Sequence, residues 1–332
     1  MIPENIIISR TDSIGDVVLT LPVAKVLKDN FPSSRILFLG KEYTKPVIDA
    51  CRHIDEFIEM NDFLNGNDTI PGAIIHVLPV PLIAKKAKQR KIPLRIGTTN
   101  RIYHWTTCNK LVKLSRKNSD LHEAQLNLKL LDPLGITKEF SLEEVAQSFG
   151  MENIQKLDER FVGMIDPGKY NLILHPKSQG NGREWGLNNF ISMVRLLDKD
   201  RFKIFVSGTM KERPLLQPVF DAVQEHVTDI TGLMKLDQFI SFIAACDGLV
   251  ASGTGPLHIA AALGKHAYGI FPPMRPIHPG RWAPLGTGAK VFVVNKPCSD
   301  CRKDVSACHC IAEIEPGWIK MELEKNASML SF

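Results

Sequence analysis

The chain has 332 residues, more than one hydrophobic core usually organises, so two domains are expected. Hydrophobic residues at 44% and charged residues at 23% are the balance of a globular protein, not a disordered or fibrous one. A net charge of +5 does not by itself require a nucleic-acid partner, MIPENIIISR lacks the basic start and apolar run of a secretory signal, and nothing reaches the roughly 18 uninterrupted apolar residues of a spanning helix. A cytoplasmic location is therefore expected.

The first half alternates short apolar runs with helical patterns. Strands are predicted over Asn5–Ser9, Arg35–Gly40, Glu56–Glu59, Ala73–Leu78 and Leu94–Gly97, with helices over Val17–Asn30 and Tyr43–Cys51. Pro22 should kink the first helix or move its start. SRTDSIGDVVLTLP runs from strand into helix with Asp16 at the corner. The helix dipole favours a carboxylate there, so any chemistry for Asp16 depends on what else reaches that corner. Residues 119 to 134 form a helical pattern stopped by Pro133 and Gly135, and a polar stretch to Lys169 follows. The domains are accordingly 1–168 and 169–332.

The second half repeats the rhythm. Strands are predicted over Asn171–His175, Phe202–Ser207, Val227–Ile230, Gly248–Ala251, His266–Phe271 and Val291–Val294. Between them lie helices over Asn188–Leu197, Glu212–His226, Leu236–Cys246 and Pro256–Leu263, and a last helix over Pro316–Leu330 is placed to pack back across the domains. Strands alternating with helices mean parallel βαβ units: an α/β protein of two doubly wound domains, with ligands at the carboxyl edges of the sheets and a cleft between them.

Two corners of the second domain suit an anion. In ASGTGPLHIAAALG a strand ends at Ala251, Gly253, Thr254 and Gly255 allow close backbone approach, and Pro256 opens a helix whose N-terminus favours negative charge. The pattern is neither a dinucleotide fingerprint nor a Walker loop, and a tight corner without ligand explains it equally well. In HPKSQGNGREWGLNNF, Ser178 and Gln179 offer neutral hydrogen bonds, Arg183 a bidentate fork, and Trp185 an anchor. Together on one sheet edge, the two corners point to a nucleotide.

From Lys85 to Lys117 stand eleven Lys or Arg residues, Arg101 among them, and no Asp or Glu. The run suits an anionic partner: an acidic or phosphorylated glycan, or an anionic membrane surface. No RNP, KH or zinc-finger pattern supports nucleic acid. Asp198-Lys199-Asp200 reads as a solvated turn. Seven cysteines, an odd number, argue against a disulfide framework. Cys298, Cys301, Cys308 and Cys310 could hold structural zinc or pack without metal.

The segments ISRTDSIGDVVLTLPVAKVLK, HEAQLNLKLLDPLGI, HPKSQGNGREW, VSGTMKER and ITGLMKLDQFISFIAACDGLVASGTGPLHIAAALG together resemble glycosyltransferase family 9, the bacterial ADP-heptose:lipopolysaccharide heptosyltransferases. The resemblance implies a GT-B fold of two Rossmann-like domains. It implies inverting, metal-independent transfer from an ADP-sugar to a lipopolysaccharide inner-core acceptor at the cytoplasmic face of the inner membrane, without a cofactor and with Asp16 as general base. On the donor side it implies Ser178, Gln179, Arg183, Glu212, Met234, the Gly253-Thr254-Gly255-Pro256 turn and His258. On the acceptor side it implies Arg10, Ser13, Gly15 and Arg101. Gly253 stands where the family carries an aspartate against the donor sugar, and Glu212 is one residue out of step with the ribose-binding glutamate. Another nucleotide sugar, or a non-catalytic nucleotide- or polyanion-binding protein of the same fold, are the alternatives.

Overall fold

A computed structural model describes residues 3–66, 70–178, 182–296 and 309–328. The chain divides into two compact units, Met1–Asn153 and Ile154–Phe332.

The first unit holds β1 (Asn5–Ser9), β2 (Arg35–Gly40), β3 (Glu56–Glu59), β4 (Ala73–His76), β5 (Leu94–Thr98) and β6 (Lys110–Val112). They form one parallel sheet in the order β3-β2-β1-β4-β5-β6. Ile6–Ile8, Ile36–Leu39 and Ala73–Ile75 are buried, which is why these strands are continuous apolar runs instead of alternating ones. On one face Ile7, Leu37, Leu39 and Ile74 pack against Phe63, Ile83 and Ala87 of the helices Met60–Asn65 and Pro81–Gln89. β6 was not predicted: it has three residues, begins on an exposed lysine and buries Val112 at the sheet edge.

The Val17–Asn30 pattern is two helices, Ile14–Val18 and Leu21–Asn30, with Pro22 in the first turn of the second, where its missing N–H costs nothing. The helix predicted over 119–134 begins at Glu123. His122 caps it, its Nδ1 accepting from Ala124 N at 3.2 Å while Gln125 Oε1 accepts from His122 N at 3.0 Å. It tightens to a 3-10 turn over Lys129–Leu134 and stops at the left-handed Gly135.

The second unit holds β7 (Tyr170–His175), β8 (Phe202–Val206), β9 (Val227–Asp229), β10 (Gly248–Ala251), β11 (His266–Ile270) and β12 (Ala289–Phe292). They form a second parallel sheet in the order β12-β11-β10-β7-β8-β9, the same winding as the first. The order reverses between β1 and β4 in one sheet and between β7 and β10 in the other. Outside the carboxyl ends at such a reversal is where doubly wound sheets hold ligands.

The segment expected to close the first domain belongs instead to the second unit. Gln155 O accepts from Ser241 Oγ at 2.8 Å, Asp158 N donates to Gln238 Oε1 at 2.8 Å, and Phe161 meets Phe242 edge-on. The Pro316–Ala327 helix seats Ile319, Leu323 and Ala327 in the second unit's core with Phe190 and Val194. No helix among the described residues is long and apolar enough to cross a membrane.

Candidate active site

At the carboxyl edge of the second sheet the two predicted loops meet. Trp185, fully buried, donates from its backbone N to Ser252 Oγ at 3.3 Å and from Nε1 to Ile314 O at 2.8 Å. A Cβ at Gly182 would lie 3.6 Å from Ser252 O. Glu184 closes its own loop, pairing with Lys177 at 2.5 Å and accepting from Ser178 N at 3.0 Å. The Ser178 hydroxyl, expected to face an anion, lies 3.2 Å from Gly182 O and 3.3 Å from Glu184 Oε1, inside the loop. Arg183 is partly buried beside it. Gln179 lies outside the described residues.

Gly253 has φ +48°, a left-handed conformation, and a Cβ there would meet the Phe271 ring at 3.0 Å. The turn therefore favours glycine, although aspartate is among the residues that best tolerate this backbone. Thr254 precedes the Gly255–Ala262 helix, with Pro256 in its first turn and His258 buried one turn in. Thr254 Oγ1 is buried with no hydrogen-bond partner among the described residues.

After β8, at the N-cap of the Arg213–Val223 helix, Glu212 Oε2 accepts from Thr209 N at 2.7 Å and Oγ1 at 2.8 Å. Its other oxygen, Oε1, is buried with no partner among the described residues. A buried carboxylate oxygen calls for a hydrogen-bond donor, and none of the described side chains or backbone groups supplies one to this oxygen. His175 ends β7. Its Nδ1 lies 2.9 Å from Ser207 Oγ, whose proton goes to Leu174 O at 3.1 Å, so Nδ1 donates and Nε2 is left as an acceptor. Burial lowers His175 to about 4 against the pull of Glu212. Met234 is partly buried in the turn after β9.

In the first unit the corner after β1 is an ion network. Asp16 lies in the first turn of the Ile14–Val18 helix. Its Oδ1 accepts from Arg10 Nη2 and its Oδ2 from Ser13 Oγ at the N-cap. Gly15 is buried in the same turn. Arg10, 3% exposed, also pairs with Asp12 at 2.7 Å and Glu123 at 3.2 Å. Glu123 Oε1 in turn accepts from Arg116 Nε at 2.9 Å, and Asn127 Oδ1 from Arg116 Nη2 at 2.9 Å. Burial works against the Arg10 charge, but Asp16, Asp12 and Glu123 outweigh it and hold the guanidinium well above its ordinary range. Burial, opposed by Arg10 and reinforced by Asp16, raises Asp12. Asp16 keeps 18% of its side chain exposed. A carboxylate has about four lone-pair positions, so one that accepts these two bonds retains capacity for a proton.

Sequence reasoning missed Glu123, Arg116 and Asn127. Glu123 and Asn127 are four apart on the buried face of their helix, a polar pair among Ala124, Leu126 and Leu128. Arg116 was counted with the basic stretch. Arg101 is exposed and makes no described contact with this network.

At the β1/β4 reversal Ser9 stands in register with His76, and His104 lies over Gly97, where a Cβ would come 2.6 Å from the ring. His76 and His104 have ring centroids 5.5 Å apart. His104 Nδ1 accepts from Thr98 N at 2.9 Å. Ser9 Oγ, His104 Nε2 and both His76 nitrogens are buried without partners among the described residues. Burial, helped by the His104 and Arg95 charges, lowers His76 from 6.5 to about 3. Between those values the unfolded chain binds the proton and the folded chain does not, so stability falls as pH falls through that window. His76 alone is expected to remove about 2 kcal/mol between pH 7 and pH 5. Denaturant titrations of His76→Leu at both pH values should show that part of the loss gone; an unchanged difference would mean that His76 is charged in the folded state.

Three cysteines of the proposed zinc cluster, Cys298, Cys301 and Cys308, lie outside the described residues, and Cys310 is buried. Among the described residues no group of three or more His, Cys, Asp or Glu could hold a metal. Asp198 and Asp200 form an exposed turn at the amino end of β8, away from the carboxyl edge, with Asp200 N donating to Asp198 Oδ1 at 2.8 Å.

The model of glycosyltransferase family 9 (heptosyltransferase) matches residues 87–312. Lipooligosaccharide heptosyltransferase 2 of Haemophilus influenzae is 19% identical over 301 residues, 82% of this chain and 84% of that protein. The glycosyl transferase family 9 structure from Veillonella parvula DSM 2008 is similar with a TM-score of 0.79 at 16% identity, covering 98% of this chain and 97% of that one. That of E. coli ADP-heptose lps heptosyltransferase II has a TM-score of 0.74 at 16% identity, covering 98% and 99%. The fold is GT-B, and the protein is a glycosyltransferase. The chain belongs to glycosyltransferase family 9.

Proposed function

We propose that the protein transfers heptose from an ADP-heptose donor to the inner core of a lipopolysaccharide acceptor. The observation that carries the donor half is the carboxyl edge of the second sheet. There two buried oxygens lack partners among the described residues: Glu212 Oε1 at the start of the helix after β8, and Thr254 Oγ1 at the start of the helix after β10, which is reached through the left-handed Gly253. A carboxylate oxygen suits a sugar hydroxyl, and helix N–H groups with Arg183 suit a diphosphate. The names of the similar proteins supply ADP-heptose and lipopolysaccharide as the chemical classes.

In this reading an acceptor hydroxyl attacks the anomeric carbon from the face opposite the diphosphate. The new C–O bond forms as the bond to phosphate breaks, ADP leaves with its electron pair, and configuration inverts. Asp16 takes the hydroxyl proton. Arg183 and the amides after Gly253 meet the charge growing on ADP, which is the work a divalent cation would otherwise do.

Calorimetric titration with ADP, UDP and GDP in chelator, followed by turnover with ADP-heptose, tests the reading. Preference for ADP and metal-free release of ADP are expected. Preference for UDP or GDP would discard heptose, an outcome that Gly253 in the place of the family's aspartate keeps in view. Binding of none of them would discard nucleotide-sugar transfer.

A further inference from the structure

The first unit exposes apolar and basic side chains on adjoining elements. The Pro81–Gln89 helix buries Ile83, Ala84 and Ala87 and turns Leu82, Lys85 and Lys88 to solvent. The neighbouring segment exposes Arg101, Ile102 and Trp105, with Ile102 at 89% and Trp105 at 63%. The two are joined where Lys88 Nζ donates to Thr106 O at 2.8 Å. Lys110 on the edge strand and Lys113 after it are also exposed. Lys85, Lys91, Arg101, Lys110 and Lys113 make no ion pair among the described residues.

Single exposed apolar residues are ordinary, and so are solvated lysines. The combination is not, because the stretch that carries both holds no carboxylate. Trp105 is also prepared for an apolar layer. Its indole N–H already donates to Thr99 O at 3.0 Å, so the ring can leave water without carrying a bare donor. A soluble polyanion would use the cations and gain nothing from Ile102; a bilayer surface uses both.

We propose that this face docks peripherally on an anionic lipid bilayer, Ile102 and Trp105 entering the interface and Lys85, Lys110 and Lys113 lying against the headgroups. The proposal rests on the reading above in one respect: it places the surface at which a lipid-borne acceptor is met.

Cosedimentation of the full chain with phosphatidylcholine vesicles, with and without phosphatidylglycerol, tests it. Binding is expected to the anionic vesicles alone and to weaken with salt. Lys85→Gln, Lys110→Gln and Lys113→Gln together should weaken it on the order of 100-fold, about fivefold per cation. Ile102→Ser with Trp105→Ser should weaken it on the order of 100-fold, the lower end for two large apolar side chains leaving water. Trp105 emission should shift to the blue on binding, read as the difference from Trp105→Phe. Thermal unfolding confirms that each variant folds. Absence of binding to anionic vesicles, equal binding to neutral ones, or full retention by the serine pair would overturn the proposal. So would tighter binding of an RNA oligonucleotide that the serine pair leaves intact. ADP titration of the same samples separates the two readings: vesicle binding without nucleotide binding removes the transferase donor and leaves the docking face, and the reverse removes only the docking face.

Discussion

Replacing Asp16 by asparagine is expected to lower turnover about 10²- to 10⁴-fold, the range of a positioned general base, with ADP affinity unchanged. Asparagine is the informative variant because it preserves the corner. Its carbonyl oxygen can still accept from Arg10, its amide can donate to Ser13 Oγ, and Arg10 keeps Asp12 and Glu123. Only the ability to take a proton is lost. The described hydrogen bonds of Asp16 are to Arg10 and Ser13, neither of them a proposed nucleotide ligand, so ADP affinity is expected to hold. Steady-state release of ADP with acceptor present, and calorimetry with ADP alone, read the two halves separately. Full activity in the variant would remove Asp16 as base. Equal loss of turnover and ADP affinity would make it a structural residue.

The sheets were largely legible because parallel strands buried on both faces leave continuous apolar runs, as Ile6–Ile8 and Leu172–Leu174 do. β6 escaped because Lys110–Val112 offers no such run. Pro22 was legible as a break, and the reason it sits where it does is that a second helix begins there. The phosphate-type turn was visible in its glycines, but the need for one at position 253 is a backbone angle that composition does not report. Ser178 was legible as a loop hydroxyl but not in its partners, since the carboxylate that closes the loop is six residues away, at Glu184. Asp16 could be found from its spacing to Ser13, a local pattern of helix starts. What holds it could not: Arg10 meets Glu123 across 113 positions, and no periodicity joins the two.

That network carries the second large expectation. Replacing Arg10 by methionine should destabilise the first unit by about 3–5 kcal/mol, the cost of removing one partner from a buried charge cluster. The side chain is 4% exposed and faces Asp12, Asp16 and Glu123. Without it Glu123 keeps Arg116, but Asp12 and Asp16 lose the cation between them. Arg10→Lys should recover part of the loss, since an ammonium is a point charge and cannot present the three edges of a guanidinium at once. Glu123→Gln should cost less than Arg10→Met, because its amide oxygen still accepts from Arg10 or Arg116 and Arg10 keeps two carboxylates. Urea transitions at pH 7, with hydrogen exchange of the β1 and Leu21–Asn30 amides as the local readout, order the three variants. Arg10→Met should also lose turnover, since Asp16 would no longer be held, and Arg10→Lys should regain stability faster than activity. Those two outcomes together would make Arg10 a positioning residue, its guanidinium setting the direction in which Asp16 is held. An Arg10→Met protein with the wild-type unfolding midpoint would mean that the cluster is solvated in solution and fixes nothing.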